Sequence, residues 1–172
     1  MRGPTTPHAH AGLRVRPGQP SDEDIVVEAN LAMALETEGL SLDPATLRRG
    51  VRRALSAPPD CHYRLAVLAE GGPPLGQLMV TREWSDWRDA WVWWIQSVYV
   101  WPAQRGRGVY RALYAAVLAE AQAAGVPVVR LYVDTRNTSA QATYAALGMD
   151  GGHYQVFEAA LPSARSGQKL TE

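Results

Sequence analysis

The segment Val98-Tyr99-Val100-Trp101-Pro102-Ala103-Gln104-Arg105-Gly106-Arg107-Gly108-Val109-Tyr110 places two arginines and two glycines between an apolar run and the start of a helical pattern. Glycine lets a backbone turn tightly and leaves no side chain between it and a ligand. The first N–H groups of a helix lack intrahelical partners and sit at the positive end of the helix dipole, so they attract anions. With Arg105 and Arg107 adding charge, Arg105 to Tyr110 reads as a cradle for phosphate or pyrophosphate. A glycine turn with two solvated arginines fits the same residues about as well, because short glycine motifs are weak evidence alone. Nothing here matches the Gly-Lys-Ser/Thr of a triphosphate-binding loop, and the three-glycine spacing of dinucleotide folds is missing.

Other reactive residue types are scattered. Cys61 is the single cysteine, with no base beside it in sequence, and reads as a small buried hydrophobe. His8 and His10 fall in a Pro- and Gly-rich start, His62 opens a strand, and His153 follows a glycine pair. No Ser-His-Asp or zinc arrangement can be assembled from them. Acids occur in Glu83-Trp84-Ser85-Asp86-Trp87-Arg88 and at Glu36 and Glu38. Around the first group crowd Trp84, Trp87, Trp91, Trp93, Trp94, Tyr99 and Trp101. Tryptophans at both strand parities imply rings that line a cleft for a cationic amine or form a homodimer interface.

The elements that must position these residues follow from pattern. Leu13–Arg16 predicts a strand, and Ser21 with Asp22, Glu23 and Asp24 predicts the start of a helix running to Thr37 with Ile25, Ala29, Ala32 and Met33 inward. Gly39 stops it, and Asp43-Pro44 begins a second helix carrying Leu47, Val51, Ala54 and Leu55. Three strands are expected next, at His62–Ala69, Leu75–Trp84 and Trp91–Val100, the last apolar enough to be buried on both faces. A helix from Gly108 to Ala124, a strand at Val128–Val133, a helix at Thr138–Leu147 and a strand at Tyr154–Leu161 complete the chain. The order is mixed α/β with an antiparallel meander and one strand–helix–strand crossover.

The 172 residues suit one domain with a sizeable core. The expected layout is a loose arm over 1–12, a domain over 13–161 and a polar tail over 162–172. Lysine plus arginine and aspartate plus glutamate both number 17, so the formal net charge is zero. That gives no general attraction to nucleic acid or anionic lipid. No run reaches the roughly 18 apolar residues of a membrane span, and Met1–Gly12 has no signal-peptide core, so a cytoplasmic protein is expected.

Two motifs together resemble a known family. Arg105-x-x-Gly108-x-Tyr110, after the strand end Val100-Trp101-Pro102, is similar to the Arg/Gln-x-x-Gly-x-Gly/Ala signature of GNAT acetyltransferases, with Tyr110 departing at the last position. Asn137, Ala140, Tyr144, Leu147, Gly148 and Met149 resemble the family's Asn…Ala…Tyr…Leu-Gly-Met helix. The resemblance covers roughly Leu13 to Leu161. It implies a mixed, mostly antiparallel sheet flanked by helices and splayed at the central strands that bind the cofactor.

It further implies transfer of an acetyl group from acetyl-CoA directly to a primary amine of a small molecule or peptide, without a metal. Backbone groups at Val98, Tyr99 and Val100 would hold the pantetheine arm and an oxyanion, and Arg105, Gly106, Arg107, Gly108, Val109 and Tyr110 the pyrophosphate. Asn137 would contact the cofactor, and Tyr144, seven residues on and on the same helix face, would return a proton to the leaving thiolate. Glu83 and Asp86 are the acceptor-side candidates. A non-catalytic acyl-CoA-binding or regulatory module on the same fold is the alternative.

Overall fold

The structure, a computed structural model, describes residues 10, 12–56, 59–152, 154–159 and 161. Apart from His10 and Gly12, the expected arm and tail lie outside the described residues, as does His153. Five strands form one sheet in sequence order: β1 (Leu13–Pro17), β2 (Cys61–Leu68), β3 (Gly76–Ser85), β4 (Ala90–Val100) and β5 (Val129–Arg130). The first four run antiparallel, and β5 lies parallel to β4. Helices α1 (Glu23–Glu38) and α2 (Pro44–Leu55) cover one face; α3 (Val109–Ala123) packs on the other, with α4 (Thr138–Ala146) following β5. Among the described residues no helix is long and apolar enough to cross a membrane.

Each face has its own apolar cluster. Ala66, Leu78, Val80, Trp93 and Ile95 pack with Val109, Leu113 and Val117 of α3. On the other face, Val26 and Val27 of α1 and Val51, Ala54 and Leu55 of α2 meet Tyr63 and Leu65. The predicted start of α2 is as expected: Asp43 accepts from the Thr46 N–H at 2.8 Å, with Pro44 in the first turn.

Three expectations are corrected. The inward face of α1 is Val26, Val27, Ala29, Asn30 and Ala34, rotated from the predicted stripe because Asn30 turns into the sheet to hydrogen-bond there. Ser21 does not cap this helix. It lies in a 3-10 turn (Pro20–Asp22) that Asp22 closes by accepting from Gln19 N while pairing with Arg16 at 2.7 Å. Residues 154–159 and 161 form no strand: β5 supplies only two paired residues, too short a ladder to template another, and Tyr154, Val156, Phe157 and Leu161 are exposed.

Gly76 fixes how closely β3 approaches the end of β4. A Cβ there would stand 2.9 Å from the Tyr99 carbonyl oxygen and 3.0 Å from Val109 at the start of α3. Gly76→Ala is therefore expected to destabilise the fold by about 1–3 kcal/mol, as overpacking does. Urea unfolding measures this, and an unchanged midpoint would show that β4 and α3 can yield.

Candidate functional site

The β3–β4 ladder is interrupted once. Met79 pairs with Gln96 and Gln77 with Tyr99, so Ser97 and Val98 stand opposite Leu78 alone. Ser97 has φ of 50°, in the left-handed region that a non-glycine residue seldom occupies. The extra residue changes side-chain parity. Trp93 and Ile95 face α3 before the bulge, Val98 and Val100 after it. On its other edge β4 pairs with β5 only at Trp93 and Trp94. From Ile95 to Val100 that edge has no β5 partner, and the two parallel strands part.

The open edge leads into the glycine loop. A 3-10 turn (Pro102–Gln104) follows β4, Gly106 and Gly108 have φ of 73° and 81°, and α3 begins at Val109. Among the described residues no side chain caps α3 and no acid occupies its first turn, so its leading N–H groups can meet an anion. A Cβ on Gly108 would meet nothing within 4 Å, which leaves space above the loop. The Arg105 side chain does not serve this space. It forms a bidentate pair with Glu36 at 2.6 and 2.8 Å, donates to the Val100 carbonyl at 2.9 Å and lies over the Tyr99 ring. Glu36 is correspondingly held below the usual carboxylate range by the Arg105 hydrogen bonds. Arg107 and Arg111 are exposed and make no ion pair among the described residues, so the uncompensated positive charge near the loop is theirs. Arg111 lies one turn beyond Arg107, a spacing the glycine motif did not flag.

Beside the first turn of α3, three tyrosines meet. Tyr110 stacks on Tyr114 with centroids 6.1 Å apart and takes the edge of Tyr144 at 5.4 Å. Its hydroxyl is buried without a hydrogen-bond partner among the described residues. Tyr110 thus occupies the place of a glycine or alanine by folding its ring inward against α4. Burial pushes the Tyr144 phenol above its ordinary value; Tyr110 is raised by burial and then by its two neighbours. Asn137 caps α4 by accepting from the Ala140 N–H at 3.0 Å and shares the half-buried face with Tyr144.

The acids and the remaining candidates have other company. Glu83 accepts from the Trp94 indole N–H and lies 3.4 Å from Arg130, so its charge is answered within the chain. Asp86 accepts from the Trp87 N–H in the exposed hairpin turn. Trp84 and Trp91 pack edge to face at the hairpin, both half exposed, and Trp87 is fully out in solvent. His62 is packed on Trp93 and burial, then Arg64, pushes it down to about 4, so it is neutral at pH 7. Burial raises the Cys61 thiol, which keeps it from being a thiolate.

Sequence reasoning missed a buried polar chain. Gln77 donates to Asn30 at 2.9 Å, Asn30 donates to the Tyr63 hydroxyl at 3.1 Å, and Tyr63 shares a cavity wall with Ser97. Each residue is unremarkable in sequence, and only the register brings them together.

The model of the acetyltransferase (GNAT) family matches residues 31–149. None of the curated proteins matches the chain. A possible acetyltransferase from Clostridium difficile 630 is 31% identical, with 89% of this chain and 100% of that one covered at a TM-score of 0.80. AAC(6')-Iy, solved with the bisubstrate analogue CoA-S-monomethyl-acetylneamine, is 18% identical over 88% of this chain and 100% of its own, with a TM-score of 0.70. A protein described as a predicted acetyltransferase, from Clostridium acetobutylicum and solved with acetyl-CoA, is 14% identical over 86% and 96%, also at 0.70.

The tyrosine cluster yields a pH expectation. A phenol whose folded pKa is raised stabilises the fold below the unfolded value near 10, and loses that contribution as pH rises through the folded value. The absorbance titration of the wild type minus that of Tyr144→Phe should therefore show a phenol ionising above pH 10. Ionisation at or below 10 would mean that Tyr144 is solvated.

Proposed function

The chain belongs to the GNAT acetyltransferase family, and from that premise we propose that it transfers the acetyl group of acetyl-CoA directly to a primary amine. The observation that carries this reading is a coincidence of place: β4 parts from β5 on the strand whose end runs into the glycine loop and the uncapped start of α3. An extended, amide-bearing arm suits a strand edge, and a pyrophosphate suits a helix N-terminus. The ligands in AAC(6')-Iy and in the C. acetobutylicum protein support acetyl-CoA as the donor.

In this reading the backbone at Val98, Tyr99 and Val100 holds the pantetheine amides, and a β4 N–H stabilises the oxyanion. Backbone N–H groups at Gly108, Val109 and Tyr110 take the pyrophosphate. Gly106 shapes the loop, Arg107 and Arg111 add charge, and Arg105 fixes the loop through Glu36. Asn137 retains its amide N–H groups for the cofactor while its oxygen caps α4. The amine nitrogen forms a bond to the thioester carbon, the C–S bond breaks, and the Tyr144 hydroxyl gives its proton to the departing thiolate. The new amide nitrogen releases its extra proton to water, and Tyr144 regains one from solvent. A buried phenol remains protonated until the thiolate appears, as this role requires. Glu83 and Asp86, the acids expected on the acceptor side, stand at the hairpin, with Glu83 paired to Arg130.

Thiol release from acetyl-CoA against a panel of amines tests the activity. Tyr144→Phe removes only the hydroxyl and is expected to lower kcat by about 10² or more, with acetyl-CoA affinity unchanged by calorimetry. Equal turnover would reduce Tyr144 to packing. Tight acetyl-CoA binding without turnover on any amine would make the protein an acyl-CoA-binding module.

A further inference from the structure

The face of the sheet opposite α3 holds a cavity of about 510 Å³ between α1, α2 and strands β2 to β4. Met33, Leu47, Val51, Ala54 and Met79 make its walls largely apolar. Asn30, Tyr63, Thr81 and Ser97 also line it, and Ser97 is the bulge residue, so the cavity reaches the point where β4 leaves β5.

Two of those four, Asn30 and Tyr63, belong to the polar chain. Gln77 and Asn30 are only 2% and 4% exposed, and Tyr63 is likewise buried. Buried polar groups are costly unless satisfied, and a satisfied chain in a low-dielectric core fixes the direction of its last member. Here the order of donation, Gln77 to Asn30 to Tyr63, turns the Tyr63 hydroxyl proton away from Asn30 on the cavity wall that Ser97 shares. Bulge and cavity converge on the Ser97 hydroxyl.

We propose that this cavity receives the amine acceptor, that Ser97, at the bulge on the cavity wall, positions its nitrogen there, and that the acceptor is a primary amine on a compact apolar body. The inference rests on the acetyltransferase reading above. Among the residues lining the cavity only Arg53 and Asp60 are charged; both are exposed and their signs oppose, so no net field draws in a polycation. Neither Glu83 nor Asp86 lines it. Apolar walls disfavour an ammonium and favour the free base, so the amine leaves its proton in bulk water before it enters. A neutral amine can then donate an N–H to the Ser97 oxygen and keep its lone pair for the thioester carbon. No protein carboxylate is needed as base.

The test uses the full chain and saturating acetyl-CoA, with hexylamine, benzylamine and 2-phenylethylamine against spermidine and kanamycin. At equal free-base concentration the apolar amines should show kcat/KM at least about tenfold higher, a factor typical of one or two buried methylenes. Their pH profiles should rise to a limit that shifts with each amine's own pKa. Leu47→Trp and Met33→Trp, each filling the cavity from a different helix, should raise KM for the best apolar amine about tenfold or more, with the acetyl-CoA Kd unchanged. Preference for spermidine or kanamycin, a pH limit that is the same for every amine, or an unchanged KM in both folded variants would overturn the acceptor assignment while leaving acetyl transfer standing. Failure to bind acetyl-CoA would overturn both.

Discussion

In β4 the two residues Ser97 and Val98 stand opposite the single Leu78 of β3, and the local consequences reach most of the molecule. A left-handed conformation at a non-glycine residue costs roughly 1–2 kcal/mol. The surroundings are specific: Tyr63 lines the same cavity as Ser97, Asn30 holds Tyr63, and Gln77 holds Asn30. The bulge switches which residues face α3, so that Trp93 and Ile95 give way to Val98 and Val100 in one continuous apolar cluster. It sits three residues beyond the last pairing with β5, on a strand edge that runs toward a helix N-terminus. The same residue joins the cofactor edge of the sheet to the cavity on its other face.

The loop after β4 divides its labour between backbone and side chains in a way that charge counting conceals. Arg105 joins the loop to the end of α1 through Glu36 and packs over Tyr99, so it acts as a strut between two elements. The anion site proposed above is then the backbone at the start of α3, with Arg107 and Arg111 as exposed neighbours. Tyr110 makes its own contribution by turning inward onto Tyr114 and Tyr144, which keeps a bulky residue out of the loop and helps desolvate the Tyr144 phenol.

Much of this was legible in the sequence where local chemistry decides the outcome. Asp43-Pro44, Gly39 and Gly125 mark helix ends through capping and left-handed turns, and α2, α3 and α4 fall within a residue or two of their predicted limits. The two motifs identified the family. What could not be read depends on pairings between distant segments. The face of α1 was misjudged because Asn30 counts as polar until Gln77 and Tyr63 are seen beside it. Arg105 looked like a phosphate ligand because Glu36 is 69 residues away in sequence. The alternation of apolar residues in β4 hid the bulge, since a parity change among tryptophans looks like a strand buried on both faces. The strand expected at Tyr154–Leu161 had the right composition, but a strand also needs a neighbour to pair with, and β5 offers two residues.

The central claim is that a parted strand edge and the uncapped start of α3 together bind acetyl-CoA. Gly108 tests it most directly, because the space above it is open among the described residues and its φ of 81° is one that alanine adopts less readily than aspartate. Backbone strain therefore costs Gly108→Asp no more than Gly108→Ala, whereas only the aspartate adds negative charge where the pyrophosphate is placed. Calorimetric titration with acetyl-CoA should show the aspartate variant binding at least about tenfold more weakly than the alanine variant, a difference of roughly 1.4 kcal/mol. Equal affinity in the two folded variants would place the pyrophosphate elsewhere and contradict the account.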